Sequence, residues 1–319
     1  MNMIAEFYSV YSMGYAILKI FFMVAIGYIL YTKRLVKKDV TKGLSNILIW
    51  VCIPALIFTK ITSAFDPYAF PKWWVLPICS IGMSLVGLGL GHIFQRPMKS
   101  FSASREFTSS CAFQNSGYLP MTLVVFACSG DMRDKLLVYI FLFIMGFNIF
   151  AWSFLPAYLS KDIRRNFRLS AILNPPVIAT GVSIAWVFIL GEGKVHNVIY
   201  EPLMMLGNAT FPLALIVLGS YLAEYRPFKS ENWKALGICL LTKLIFLPAV
   251  VFILIKYLPL EESLKFFIML EAIMPVAVSL IVIGQFAKAD NKFFSGAIFY
   301  SHLLAIVTIP MWLLLLRNS

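Results

Sequence analysis

Apolar residues in this chain do not alternate with polar ones; they run in long blocks. Ten blocks stand out, at 8–31, 43–64, 73–95, 107–128, 136–159, 172–190, 198–222, 235–257, 264–286 and 294–316. Each is about long enough, as a helix rising roughly 1.5 Å per residue, to cross a hydrocarbon core of about 30 Å. The pattern predicts an all-α polytopic membrane protein with ten transmembrane helices. Block four departs from it. Residues 113–120 read FQNSGYLP, with three polar side chains, a glycine and a proline at mid-depth. Opened backbone in hydrocarbon costs several kcal/mol per unsatisfied group, and survives only where protein or a water-filled cavity satisfies it. The stretch is therefore read as the break in a discontinuous helix, where transporters build their binding sites.

Composition supports lipid as the solvent. Of 319 residues, 60% are hydrophobic and 13% charged, more apolar surface than a soluble fold can hide. The net charge of +12 is not a nucleic-acid footprint, because the basic residues sit in short loops between blocks. Loops after blocks one, three, five, seven and nine hold 17 Lys and Arg; the other loops and the ends hold 8, counting Lys60, Lys256 and Lys265 near the ends of the adjoining blocks. Two clusters dominate, Lys33, Arg34, Lys37, Lys38, Lys42 and Lys161, Arg164, Arg165, Arg168. The positive-inside rule makes these loops cytoplasmic, with both termini outside the cell (inner) membrane. The N-terminal segment lacks the basic n-region of a cleavable signal peptide. The five cysteines, Cys52, Cys79, Cys111, Cys128 and Cys239, lie within blocks and show no metal or disulfide spacing. They read as packing residues, and no metal or other cofactor is expected.

The chain also resembles itself at half its length. WWVLPIC (73–79) parallels WKALGIC (233–239), FACSGD (126–131) parallels QFAKAD (285–290), and the Pro54 region parallels that of Pro212. Five blocks per half is an odd number, so the second repeat (161–319) is expected to be inverted relative to the first (1–160). In this register the Asn115-Ser116 break maps onto Met274-Pro275, where IMPVAVS places a proline inside block nine. Interrupted segments at corresponding positions of two halves are the best sequence pointer to a transport site.

Several stretches together resemble the auxin efflux carrier family in its compact prokaryotic form, which includes malate permeases. They are NSGYLP (115–120), NPPVIATG (174–181), LGNATFPLALIVLGSYL (206–222), IMPVAVS (273–279) and IFYSHLLAIVTIPMWL (298–313). The resemblance covers essentially the whole chain in order. One difference is Ser279, where family members often carry Asn. The resemblance implies two inverted five-helix repeats with broken, crossing helices four and nine. It also implies a scaffold of spans 1, 2, 6 and 7, a mobile transport unit of spans 3–5 and 8–10, and a homodimer formed through the scaffold.

The candidate substrate-binding residues are Gln114, Asn115, Ser116, Gly117, Pro120, Met274, Pro275 and Ser279. Polar residues in membranes often serve only as hydrogen-bonding glue between helices. Here they adjoin helix breakers, and a half-helix that starts at a break offers free N–H groups and a positive dipole end to an anion. Three ionisable residues are candidates for ion coupling or charge: Glu271, Lys243 and His302. Intramembrane charges are expensive and point to function, although Lys can snorkel and a lone His can bond a carbonyl. Lys19 reads as a snorkelling residue, and Asn46 and Asn208 as packing glue.

These features favour a secondary carrier of a small organic anion, with proton or sodium coupling and alternating access. An intramembrane enzyme using Glu271, His302 and Lys243 is a second reading, but catalysis has no need of inversion symmetry. A channel or receptor on a transporter fold is a third, and a channel would show a continuous polar face along several blocks. No GxxxxGK[ST] or HExxH is present.

Overall fold

The computed structural model describes residues 10–96, 103–160, 173–224, 232–287, 289 and 291–317. The basic cluster at 161–168 and Lys288 of the repeat match fall outside them. Twelve helices follow in order: α1 (Val10–Thr32), α2 (Lys38–Ala64), α3 (Val75–Gln95), α4 (Ser104–Ala112), α5 (Tyr118–Ala127), α6 (Gly130–Leu159), α7 (Pro175–Leu190), α8 (Asn197–Glu224), α9 (Trp233–Tyr257), α10 (Glu262–Ala272), α11 (Ser279–Ala287) and α12 (Asn291–Arg317). No strand occurs among the described residues beyond one isolated antiparallel bridge.

Among the described residues seven helices, α1, α2, α3, α6, α8, α9 and α12, are long and apolar enough to cross a membrane. The chain is a polytopic membrane protein, but ten continuous helices are not what forms. Blocks four and nine are each cut into two short helices, and block six yields only the 16 residues of α7. The boundaries of α7 have local causes. Asn174 caps it by accepting from the Val177 N–H at 3.1 Å, and Pro175-Pro176 occupy first-turn positions where no N–H is needed. Gly191 stops it at φ +92°, a conformation that favours glycine.

Two long helices contain a widened π turn, Leu48–Cys52 in α2 and Thr242–Phe246 in α9. Each ends two residues before a proline, Pro54 and Pro248. A proline ring clashes with the carbonyl four residues earlier and removes one rung of the helix ladder. The wider turn accommodates both and leaves carbonyls free for other donors. In α9 the indole Nε1 of Trp312 donates to the Leu244 carbonyl at 2.8 Å.

The most extensive helix pair is α1 with α8. Gly27 lies against the backbone of Ile216, and Gly219 against the Val24 carbonyl and the Tyr28 backbone nitrogen. Without side chains at these two points the backbones come into contact, which is how membrane helices gain packing energy in the absence of a hydrophobic drive between them. The Ser220 hydroxyl, beside Gly219, donates across the pair to the Gly27 carbonyl at 3.3 Å. Large side chains such as Phe22, Trp50, Ile189 and Met205 remain exposed on the outer helix faces, as expected where lipid is the solvent. Asn46 and Asn208 are exposed as well, which corrects their reading as glue between packed helices.

Candidate functional site

The two interruptions meet. After α4, Phe113 turns extended, and Gln114 forms an antiparallel bridge with Val276 in the gap between α10 and α11. The Asn115 N–H donates to the Pro275 carbonyl at 2.8 Å, and the Ala277 N–H donates to the Phe113 carbonyl at 3.0 Å. The Val276 N–H donates to the Ser301 hydroxyl of α12 at 3.1 Å. Each broken segment thus satisfies the other's backbone where neither can reach water. The sequence causes are local. Pro275 biases Met274 away from helical geometry and ends α10, whereas Gly117 precedes α5 and Pro120 sits in its first turn, where its missing N–H costs nothing.

The α5 half begins with open donors: the first N–H groups of a helix lack intrahelical acceptors, and Gly117 before α5 supplies no side-chain cap. At α11 the Leu280 and Ile281 N–H groups close tight turns on the Ala277 and Val278 carbonyls, at 3.2 and 3.3 Å. Both starts open onto one cavity of about 210 Å³. Its wall includes Gln114 to Tyr118 from the first break and Ala277, Val278 and Ser279 from the second. Ile49, Ile53 and Ile57 of α2 and Ile144, Phe147 and Trp152 of α6 make the remainder largely apolar. No charged side chain among the described residues lines it.

Of the expected binding residues, Gln114, Asn115, Ser116, Gly117 and Ser279 line this cavity. Pro120, Met274 and Pro275 do not; they shape the breaks from behind, and Met274 is fully buried in the core. Gln114 is also partly committed, since its Nε2 donates to Met83 Sδ at 3.2 Å. Asn115 is held by its side chain too. The Nδ1 of His302 lies 2.8 Å from the Ile298 carbonyl, which can only accept, so His302 donates there. Its Nε2 is then an acceptor for the Asn115 Nδ2, 3.1 Å away. His302 orients Asn115 rather than lining the cavity.

Glu271 and Lys243 also sit behind the wall, both fully buried. Lys243 therefore does not present its charge to the cavity, and it forms no ion pair with Glu271. Lys19 is exposed and stacks its ammonium over Phe126, 5.7 Å from the ring centroid.

Other lining residues were not singled out as binding residues from the sequence. Ser45, Tyr118, Tyr221, Asn148 and Asn174 add polar groups, and the Tyr118 and Tyr221 hydroxyls both reach Ser45. Asn174 carried a signal, the unusual Asn-Pro-Pro opening. The tyrosines carried none, because an aromatic residue inside an apolar block looks like any other.

A discontinuous-helix pair around a cavity, in a polytopic membrane protein, defines the class: a membrane transporter, not an enzyme. Comparison agrees. The sequence profile of the family described as membrane transport protein matches residues 13–164 and 159–313, and the chain belongs to that family, the auxin efflux carriers. It is 25% identical over 314 residues to an uncharacterized transporter of Methanocaldococcus jannaschii, covering 95% of this chain and 98% of that one. An uncharacterized transporter of Methanothermobacter thermautotrophicus is 26% identical over 93% of this chain and 96% of its own length. Protein PIN-LIKES 1 of Arabidopsis thaliana is 21% identical over 92% of this chain and 76% of its own.

Proposed function

We propose that this transporter is a secondary carrier of a small organic anion, such as a dicarboxylate, working by alternating access. The observation that carries this reading is the opening of two half-helix starts onto one cavity that no acidic side chain of the described residues lines. Each start presents the positive end of a helix dipole, and the α5 start adds uncapped N–H groups; both features favour a carboxylate. Asn115, Ser116 and Ser279 add side-chain hydrogen-bonding groups, and the apolar remainder of the wall takes the carbon frame. In this reading α1, α2, α7 and α8 are the scaffold, and the elements carrying the two breaks move against it. The cavity draws wall from both sets, Ser45, Asn174 and Tyr221 from the first and the breaks from the second. That supports a site at the moving boundary. The ten-span, inverted-repeat topology, the scaffold homodimer and the cytoplasmic-membrane location belong to the same proposal. Uptake of labelled malate, other dicarboxylates and indole acids into proteoliposomes tests it. Failure to concentrate any organic anion under imposed proton or sodium gradients would sink it.

Two further expectations follow from this reading. Cysteines introduced into 32–42 or 160–171 of the natural chain should resist an impermeant thiol reagent added to sealed cells, because the basic asymmetry makes both loops cytoplasmic. Rapid labelling from outside would reverse the topology. Glu271→Gln should keep substrate binding but lose the response of uptake to a proton gradient, since it preserves shape and removes the titrating group. A Glu271→Gln protein with unaltered pH dependence would leave Glu271 no coupling role.

A further inference from the structure

Behind the cavity wall lies a buried polar group set that the anion site does not use. Glu271 on α10 and Lys243 on the π turn of α9 are both 0% exposed. Lys243 Nζ and both carboxylate oxygens of Glu271 lack hydrogen-bond partners. The two are close enough to feel each other's charge, yet they are not in ion-pair contact. The Ser116 hydroxyl lies beside the Glu271 carboxyl, itself without a formed hydrogen bond, and Ser116 also lines the cavity. One hydroxyl therefore separates this set from the substrate space. Lys243 is anchored there. Cys239, one turn earlier on α9, has its thiol 3.8 Å from that of Cys111 on α4, and Trp312 caps the carbonyl of Leu244.

A lone buried charge costs several kcal/mol, and an opposite charge in the same low-dielectric space offsets much of that. We infer that Lys243 is the built-in counter-charge of Glu271, so that the set takes up a proton and excludes sodium. This rests on the carrier reading and names its coupling ion. A hard cation needs a shell of several oxygens. The groups recorded around the pair are poor in them: the Ser116 hydroxyl and the Lys243 amine face Glu271, and the Cys111 and Cys239 thiols face Lys243. On the α6 side Tyr139 packs against Phe267, one turn from Glu271. An ammonium already in place repels any added metal cation, whereas a proton needs no shell. The step balances simply. The carboxylate beside the ammonium accepts one H⁺ to become a carboxylic acid, which leaves the set with a single positive charge opposite the incoming anion. Return of the proton to water restores the neutral pair.

The test needs no substrate, so its failure is distinct from failure of the carrier reading. The unfolding temperature of the purified full-length protein is followed by tryptophan fluorescence, in NaCl and in choline chloride of equal concentration. Wild type should unfold at the same temperature in both. Lys243→Met leaves Glu271 without its counter-charge and should gain a stabilisation specific to sodium, which the Lys243→Met/Glu271→Gln double variant should lose again. A sodium-specific shift in wild type would overturn the inference, as would a folded Lys243→Met protein indifferent to sodium. If Lys243→Met does not fold, the wild-type comparison decides.

Discussion

Replacing Asn115 by alanine should weaken substrate binding by roughly 10- to 100-fold, the range expected when a hydrogen bond to a charged ligand is lost. Transport should fall at least as far. Asn115 sits where the two breaks are tied together, and its effect has two parts. Its backbone N–H bonds the Pro275 carbonyl and survives the change. Its side chain does not, and the change leaves His302 Nε2 as a buried acceptor without a donor. That second loss costs about 1–3 kcal/mol of stability. His302→Ala separates the parts, because it frees Asn115 while keeping its amide at the cavity. Equilibrium binding of the best transported anion, alongside thermal unfolding of both variants, gives the answer. Normal binding by a folded Asn115→Ala protein would remove Asn115 from the site.

Gly219→Leu should prevent stable insertion or folding, through packing and not through the site. A Cβ at Gly219 would overlap the Val24 carbonyl and crowd the Tyr28 nitrogen, and these are backbone atoms that cannot rotate away. Overpacking a core that can relax costs about 1–3 kcal/mol; here the interface must separate, so the cost lies at or above the upper end. Gly27→Leu should act alike, since its Cβ would overlap the Ile216 backbone. By contrast Gly14→Leu, with nothing within 4 Å of its Cβ position, should be tolerated. Yield of monodisperse protein from membranes, together with the unfolding temperature, separates the three. A well-folded Gly219→Leu protein would mean that α1 and α8 are not held at this distance.

Much of this molecule was determined by the sequence alone. Hydrophobic block length dictates helices in lipid, because each backbone polar group must be satisfied within its own segment. The breaks at 113–117 and 273–278 were legible for the same reason, since Gly117, Pro120 and Pro275 cannot continue a helix unaided. The π turns were not legible, because Pro54 and Pro248 by themselves signify only a kink. Other features were decided only by the tertiary structure. That Gln114 bridges Val276, that Asn115 leans on His302, and that Lys243 is buried near Glu271 are pairings over long stretches of chain. Periodicity says which residues turn inward, not which inward faces meet. Sequence could name Glu271, Lys243 and His302 as costly to bury, but not that all three stand behind the cavity while Tyr118, Tyr221 and Asn148 line it. Burial cost belongs to a residue type, whereas access to a cavity is set by which helices pack around it.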